Sequence, residues 1–492
     1  MILLEGLFEN LDRFISQMNA IKKYISSIDE IMDTTFRMKI TEIKDGRAIV
    51  YAYIMLDHWY ELLKEDEQSF LREINRFIQK TEERFLKKKD INELQIGNLF
   101  TIILERFSNE EKGVTFYIDK ENELSFKIRD NKIAKELNIY INKSIEEDRQ
   151  QELLYETSLI SLSNAFEALF YKMTAFVITN TRNSKIEEKQ LTYKQMIDLG
   201  GIEEAKEYLI EKAVEEVMRG TQISWLEHLA KNTSKKFFEE LVGEEEKQFN
   251  EFFLRRNLII HNEGRVNKKY VNACNQKEIS SPFGIGEKIV LSINYLLSNL
   301  NLLFVIAVKA NYYVVKSYFP KNFQKFFDHY HSIAFDQLLS EEYEIAHVVL
   351  EMLFKDSNHF SEKQKLMLVI NYLQSLKWTN REQRLTDLLE RTDFSLADNE
   401  HKLCVALIQD NFEEAVTYLD ELLQKEKMDS GNDSDLLNLY MEWPIFKEFC
   451  KTEILLTYLA KHNYKDVKVT SKIIEEEIEV CDNEGETDSN RQ

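Results

Sequence analysis

Arg256 and His261 stand in the stretch RRNLIIHNEGRVNKKYV, residues 255–271, of a 492-residue chain whose net charge is −22. Asn257 follows the arginine and Asn262 the histidine; Arg255, Arg265, Lys268 and Lys269 crowd the same stretch, with only Glu263 opposing them. These residue types suit the cutting of RNA without a metal. A base must take the proton of the 2′-hydroxyl, an acid must protonate the leaving oxygen, and cationic donors must hold the charge that gathers on phosphorus. Histidine titrates near neutrality and can serve as either base or acid. Arginine stays charged and offers a fork of donors to phosphate oxygens. His261 is therefore expected to move the proton and Arg256 to hold the phosphate. Asn257 and Asn262 would orient the ring or the scissile backbone, and Arg265, Lys268 and Lys269 would hold flanking phosphates. Arg255 carries the same fork of donors and is a second candidate for the phosphate.

Geometry restricts this reading. On a continuous helix, residues five apart diverge by about 140°. Arg256 and His261 meet only if the helix ends near Ile260, if the arginine reaches round, or if a second subunit completes the site. Asn257 and His261, four apart, share a face. A purely structural role also suits the cluster. Cations near a helix C-terminus are favoured by its dipole, and Arg255 and Arg256 could pair with Glu244, Glu245 or acids elsewhere.

The elements that must position these residues are helices. EEKQFNEFFLRRNLII buries Phe249, Phe252, Phe253 and Ile259-Ile260 on one face, and Gly264 is able to reverse the chain after it. In LISLSNAFEALFYKM, Leu159, Leu162, Phe166, Leu169 and Met173 recur at steps of three and four, which predicts a second apolar helical face. Glu167 on that helix could orient an arginine or serve as an ordinary helix-pair acid. An apolar helix from Glu287 to Ser317 closes a central block, residues 151–320.

The string RRNLIIHNEGRVNKKY resembles the motif of HEPN-domain ribonucleases, in which an arginine followed by a polar residue precedes a histidine with four to six residues between them; Arg256, followed by Asn257, fits with four between, and Arg255 fits with five. The LISLSNAFEALF helix is similar to the opening helix of such domains. The resemblance covers about 170 residues. It implies a HEPN-like helical bundle over 151–320, an endoribonuclease whose composite cleft lies at a two-fold interface, and hence a homodimer acting on RNA with no metal or cofactor. It also implies a bacterial defence or toxin role in which the nuclease is normally restrained. Some members carry a tyrosine two residues beyond the histidine that a partner enzyme modifies; that position is Glu263 here.

The flanks read differently. Residues 1–150 form a mixed leading region: ENLDRFISQMNAIKKYISSIDEIM is amphipathic at helical spacing, TFRMKITEI alternates as a strand does, 48–89 is helical, and VTFYIDKENELSFKI (114–128) is a hairpin around a four-residue tip. Residues 325–465 carry a faint repeat. EEYEIAHVVLEML (341–353) superimposes on DNFEEAVTYLDEL (410–422), with Ala346 on Ala415 and Leu350 on Leu419, and LKWTNREQRLTDLL supplies a middle copy that puts Trp378 on Tyr343 and Phe412. Steps of 35 and 34 suggest helix pairs of the tetratricopeptide kind, whose groove would bind another protein; an accidental period in an ordinary helical domain is the other reading. Residues 466–492 read as an acidic, disordered tail.

Composition narrows the classes. With 43 % hydrophobic residues, 13 Gly and 3 Pro, the chain should be mainly α and of several domains. Its acidity argues against wrapping nucleic acid non-specifically. Cys274, Cys404, Cys450 and Cys481 show no paired spacing, which fits a reducing cytoplasmic setting and no zinc site. The acids in MILLEGLFENLDRF exclude a signal peptide as the reading of that stretch. The apolar segment 289–308 is broken by Ser292, Asn294, Ser298, Asn299 and Asn301, so a buried core helix is expected there, without a membrane partner. His58 lacks a second ligand at the next turn, and His329 and His331 are two apart and share no helix face. No phosphate-binding or dinucleotide-binding glycine motif and no nucleophile elbow occurs.

Overall fold

The structure, a computed structural model, describes residues 2–35, 114–118, 124–128, 131–181, 190–233, 243–429, 431 and 433–464. It is mainly α-helical. The elements are α1 (Ile2–Thr35), β1 (Val114–Ile118), β2 (Leu124–Ile128), α2 (Asn131–Asn180), α3 (Tyr193–Leu199), α4 (Ile202–Met218), α5 (Gln222–Asn232), α6 (Glu246–Asn262), α7 (Lys268–Gln276) and α8 (Ile293–Tyr318). They continue as α9 (Phe323–Leu339), α10 (Tyr343–Phe354), α11 (Glu362–Trp378), α12 (Glu382–Arg391), α13 (Asn399–Ile408), α14 (Phe412–Asp429), α15 (Asp433–Met441) and α16 (Glu453–Lys461).

Two compact units result. One takes Met1–Lys22, Leu159–Ile289 and the chain from Asn294 onward; the other takes Lys23–Ser158 with Val290–Ile293. In the second unit β1 and β2 pair antiparallel with Ile118 opposite Leu124, so five residues, one more than expected, join them. The expected strand near 36–45, the helix over 48–89 with His58, and the acidic tail lie outside the described residues.

In the first unit the apolar stripe of α1 is its cover. Leu4, Leu7, Leu11, Phe14 and Met18 are at most 2 % exposed. The Leu7 carbonyl accepts from Asn311 Nδ2 at 3.2 Å, and the Phe8 ring stacks on His329 at 4.0 Å. The start of the chain therefore belongs with the later helices, not with an independent leading domain over 1–150. A stripe at helical spacing shows that a face must be covered, not what covers it.

Nor does packing break at residue 320. Tyr312 of α8 meets Tyr330 of α9 edge-on at 5.0 Å, the Tyr330 hydroxyl donates to Asn311 Oδ1 at 2.7 Å, and Lys316 and the Tyr312 hydroxyl both bond Asp356. Helix α8 is long and apolar enough to span a bilayer, the one such helix among the described residues, yet most of it is buried in this unit, Leu296, Leu303, Ile306 and Val314 completely. It begins at Ile293 rather than Glu287, because 286–289 pair with 264–266 in a short antiparallel bridge.

From α9 onward the helices form hairpins closed by one recurring turn. Glu341, Asn380 and Asp410 each adopt left-handed φ values of 60°, 56° and 56°. The next amide in each turn bonds five residues back: Glu342 to Gln337, Arg381 to Leu376 and Asn411 to Ala406, all at 2.9 Å. This is the six-to-one closure that satisfies the last carbonyls of a helix. Ala346 and Ala415 are equivalent and completely buried, as the 69-residue shift predicts. The middle copy is not where the sequence puts it. Its turn at Asn380 makes the steps 39 and 30, and Trp378 ends α11 instead of opening α12, where it packs on Tyr343 at 4.5 Å. The similarity of Trp378 to Tyr343 is one of partners across a hairpin, not of equivalent positions.

His329, His331 and His347 are each held neutral, with pKa values lowered from 6.5 to about 4 chiefly by burial; Arg381 also disfavours the His347 cation, while Asp328 opposes the shift of His331. Their neighbours include Asp12 at 3.6 Å from His329, Asn371 bonded to His331 and Ser375 bonded to His347. Groups with depressed folded-state values contribute stability above the unfolded value and lose it as the pH falls toward the folded one, by on the order of 2–3 kcal/mol for a ring shielded throughout. The urea midpoint of this unit should therefore fall between pH 6.5 and about 4, and His329→Phe should flatten that slope.

Candidate active site

The Arg256–His261 stretch is positioned by aromatic packing between α2 and α6. Phe166 lies 5.6 Å from Phe249 and 5.9 Å from Phe253, and Phe249 and Phe253 meet at 5.1 Å. All three rings are buried, as the apolar spacing predicts. Glu167 follows Phe166, and Arg256 stands one turn beyond Phe253, so this packing brings them together. Arg256 Nη2 pairs with Glu167 Oε1 at 3.2 Å, and the same oxygen accepts from Ser163 at 3.1 Å. The other arm of the guanidinium donates to Asn257 Oδ1 at 3.2 Å, while its Nε is buried without a partner.

Helix α6 does not stop at Ile260. It runs through His261 to Asn262 and ends where Glu263 and Gly264 both take left-handed φ, 51° and 72°. The Gly264 amide returns to the Leu258 carbonyl at 3.1 Å. A side chain at Gly264 would be strained by that φ and would sit 3.5 Å from Lys288 Cε. Of the three ways in which Arg256 and His261 can meet, the early helix end is ruled out. The arginine does not reach round either, since Glu167 and Asn257 hold it. Within one chain the two face different directions. Asn257 and His261, four apart, are both exposed on one side, and among the described residues no side chain bonds the His261 ring. Ile260, expected in the core, is 41 % exposed beside it, whereas Ile259 is buried.

Arg255 is placed differently from expectation. Its side chain is only 11 % exposed, ion-paired with Glu251 and laid over the Tyr295 ring at 4.1 Å and the Phe283 ring at 5.3 Å. The Tyr295 hydroxyl donates to the other Glu251 oxygen at 2.7 Å. Burial opposes the Arg255 charge, but Tyr295 and Glu251 outweigh it and raise its pKa; burial and the same carboxylate push the Tyr295 hydroxyl well above its ordinary value. This closed group of acid, guanidinium and rings is structural, so Arg255 is not a substrate ligand in this arrangement. The spacing of Glu251 and Arg255, one helical turn, is a signal that could have found the pair.

Asn262 also turns inward. Its amide donates to the Arg265 carbonyl and closes the turn, so it does not orient the histidine. Arg265 donates to the Gly286 carbonyl at 3.3 Å and stays exposed. Lys268 and Lys269 open α7 behind the Asn267 cap, both exposed. The bridge between Arg265 and Lys288 adds a cation that no local pattern announced, because it arrives from a distant stretch. The result is an exposed surface of His261, Arg265, Lys268 and Lys269 with the half-exposed Lys288, while Arg255 and Arg256 are engaged by carboxylates. The chain matches no family model, no curated protein and no solved structure.

Glu251→Ala should leave the Arg255 guanidinium enclosed without its counter-ion and cost about 3–5 kcal/mol. Tyr295→Phe should cost about 1.5–3 kcal/mol, the value of a hydrogen bond to a charged group. Urea unfolding of the two variants checks the order.

Proposed function

We propose that the protein is a metal-independent endoribonuclease of HEPN type whose working site is completed by a second copy. The observation that carries this reading is the unpartnered, exposed His261 on a cationic surface of a strongly acidic chain. A cluster that only stabilised the fold would place its cations against carboxylates, as Arg255 and Arg256 are placed. Lys268 and Lys269 are instead aligned against the dipole of their own helix, an arrangement that suits an anionic ligand better than folding.

In the proposed reaction His261 takes the 2′-hydroxyl proton, the 2′-oxygen bonds phosphorus, and the bond to the 5′-oxygen breaks. The leaving oxygen collects a proton, and the products are a 2′,3′-cyclic phosphate and a 5′-hydroxyl. One imidazole cannot be base and acid at the same moment, so a two-fold pair of chains would supply the second histidine. Arg256 then serves the phosphate only when it leaves Glu167, which gives the resting site a physical reason to be restrained. Arg265, Lys268, Lys269 and Lys288 hold flanking phosphates, and Asn257, on the same face as His261, orients the ring. The hairpins from α9 onward would recruit the protein or ligand that relieves restraint. A cytoplasmic defence or toxin role follows from the HEPN resemblance.

A second reading is a non-catalytic dimerisation and helical-hairpin scaffold. The Arg256–Glu167 pair favours it, since that arginine already has a partner.

Incubation of the full chain with end-labelled single-stranded RNA in EDTA separates the two. The enzyme reading expects cyclic-phosphate ends, about 10²–10⁴-fold slower formation for His261→Ala and a loss of about 10²–10³-fold for Arg256→Ala. Cleavage that survives in both variants, or wild-type chain that neither binds nor cuts RNA, sinks it in favour of the scaffold.

A further inference from the structure

The Arg256 guanidinium is engaged twice, and in neither case as well as it could be. Its Nη2 meets Glu167 Oε1 at 3.2 Å, and its Nη1 donates to Asn257 Oδ1 at 3.2 Å. Arginine only donates, so the Asn257 atom facing it must be the carbonyl oxygen. That oxygen is also the one with which Asn257 would accept from the His261 ring, one helical turn further on. The Arg256 Nε is buried and has no partner. One pair of donors is therefore split between two acceptors, and the pair that includes Nε is not used. A phosphate matched to arginine takes two donors at once.

The two halves of the Arg256–Glu167 pair differ in how firmly they are held. Glu167 Oε1 also accepts from Ser163 at 3.1 Å, and Ser163 is completely buried on the same helix. Phe166, beside Glu167, is packed against Phe249 and Phe253. The carboxylate is thus seated on the core. Arg256 carries a long side chain, 19 % exposed, which can turn outward with no change of backbone. On leaving, it frees the Asn257 oxygen and lets its own Nε find an acceptor, while Glu167 keeps Ser163. A bound anion is what the released arginine needs, because a ligand shifts such an equilibrium only by favouring one state over the other.

We infer that Arg256 is a two-position switch and that Glu167, seated on Ser163, is the residue that sets its resting position. At rest one guanidinium both withholds its charge from RNA and occupies the Asn257 oxygen. On taking a backbone phosphate it gives up that oxygen, which then accepts the facing ring N–H of His261. The other ring nitrogen is left unprotonated and serves as the base. Binding of the phosphate and alignment of the base are in this way one event. The inference rests on the proposed RNA site. It adds a governing residue from another helix, outside the Arg256–His261 stretch.

Binding to the full chain is read with a labelled single-stranded RNA methylated at every 2′-oxygen, which presents phosphates but cannot be cut. Glu167→Gln keeps the shape of the side chain and an acceptor for Ser163. It should bind this RNA about fivefold more tightly than wild type, the upper end for an ion pair that water still reaches. Glu167→Asp, which keeps the charge but shortens the reach, should gain less in the same direction. The gain should vanish when Glu167→Gln is combined with Arg256→Ala, because it acts through that arginine. No tighter binding by Glu167→Gln, or a gain that persists undiminished without Arg256, would overturn the switch; the second result would make Glu167 only a source of repulsion. Cleavage of unmodified RNA separates this inference from the reading beneath it. An Arg256-dependent gain in binding with no cyclic-phosphate ends from any chain upholds the switch and removes the ribonuclease. Cleavage that Glu167→Gln leaves unchanged removes the switch and leaves the ribonuclease standing.

Discussion

Phe166 packed against Phe249 and Phe253 is the contact on which the site depends. Those rings set α2 beside α6, and their neighbours in sequence inherit the geometry: Glu167 meets Arg256 because each adjoins a buried phenylalanine. Cores are close-packed, so a ring in this position has few alternatives, and the ion pair beside it is correspondingly fixed. The left-handed pair Glu263–Gly264 completes the arrangement by carrying the helix past His261 before reversing it.

The cations divide according to what lies behind them. Arg255 rests on Tyr295 and Phe283 with Glu251 as counter-ion, a low-dielectric setting in which an unpaired charge would be costly. Arg256, half-buried, is held by Glu167. Arg265, Lys268 and Lys269 stand exposed where water and a ligand can reach them. A run that reads as one basic cluster along the chain is thus two populations in space, one bound into the fold and one available. The proposed chemistry draws on the second population and asks Arg256 to move between them.

The later helices are governed by a different constraint, the closing of helix ends. Each left-handed turn at Glu341, Asn380 and Asp410 returns an amide to the carbonyl five residues before it, and the next helix starts at once. The fourth instance, Asn463 after α16, has the same bonds, with the Tyr464 amide on the Leu459 carbonyl at 3.0 Å. None of these turn positions is a glycine; each is an Asn, Asp or Glu in the left-handed region.

Much of this was legible along the chain. Leu159, Leu162, Phe166, Leu169 and Met173 fall on one buried face because helical spacing alone groups them, and Ala346 matches Ala415 because both must let helices approach closely. The short hairpin and the buried Ile293–Tyr318 helix follow from local pattern in the same way. Periodicity determines which side of an element is hidden, since that depends only on backbone geometry and side-chain type. The partner of that side is another matter. The packing of α1 in the first unit, the arrival of Lys288 beside Arg265, the capture of Arg256 by Glu167 and the register of the middle hairpin all join residues far apart in sequence. Only the tertiary structure decided them, because burial and charge are satisfied by whatever the folded chain brings near, and a one-dimensional pattern carries no distances between its segments.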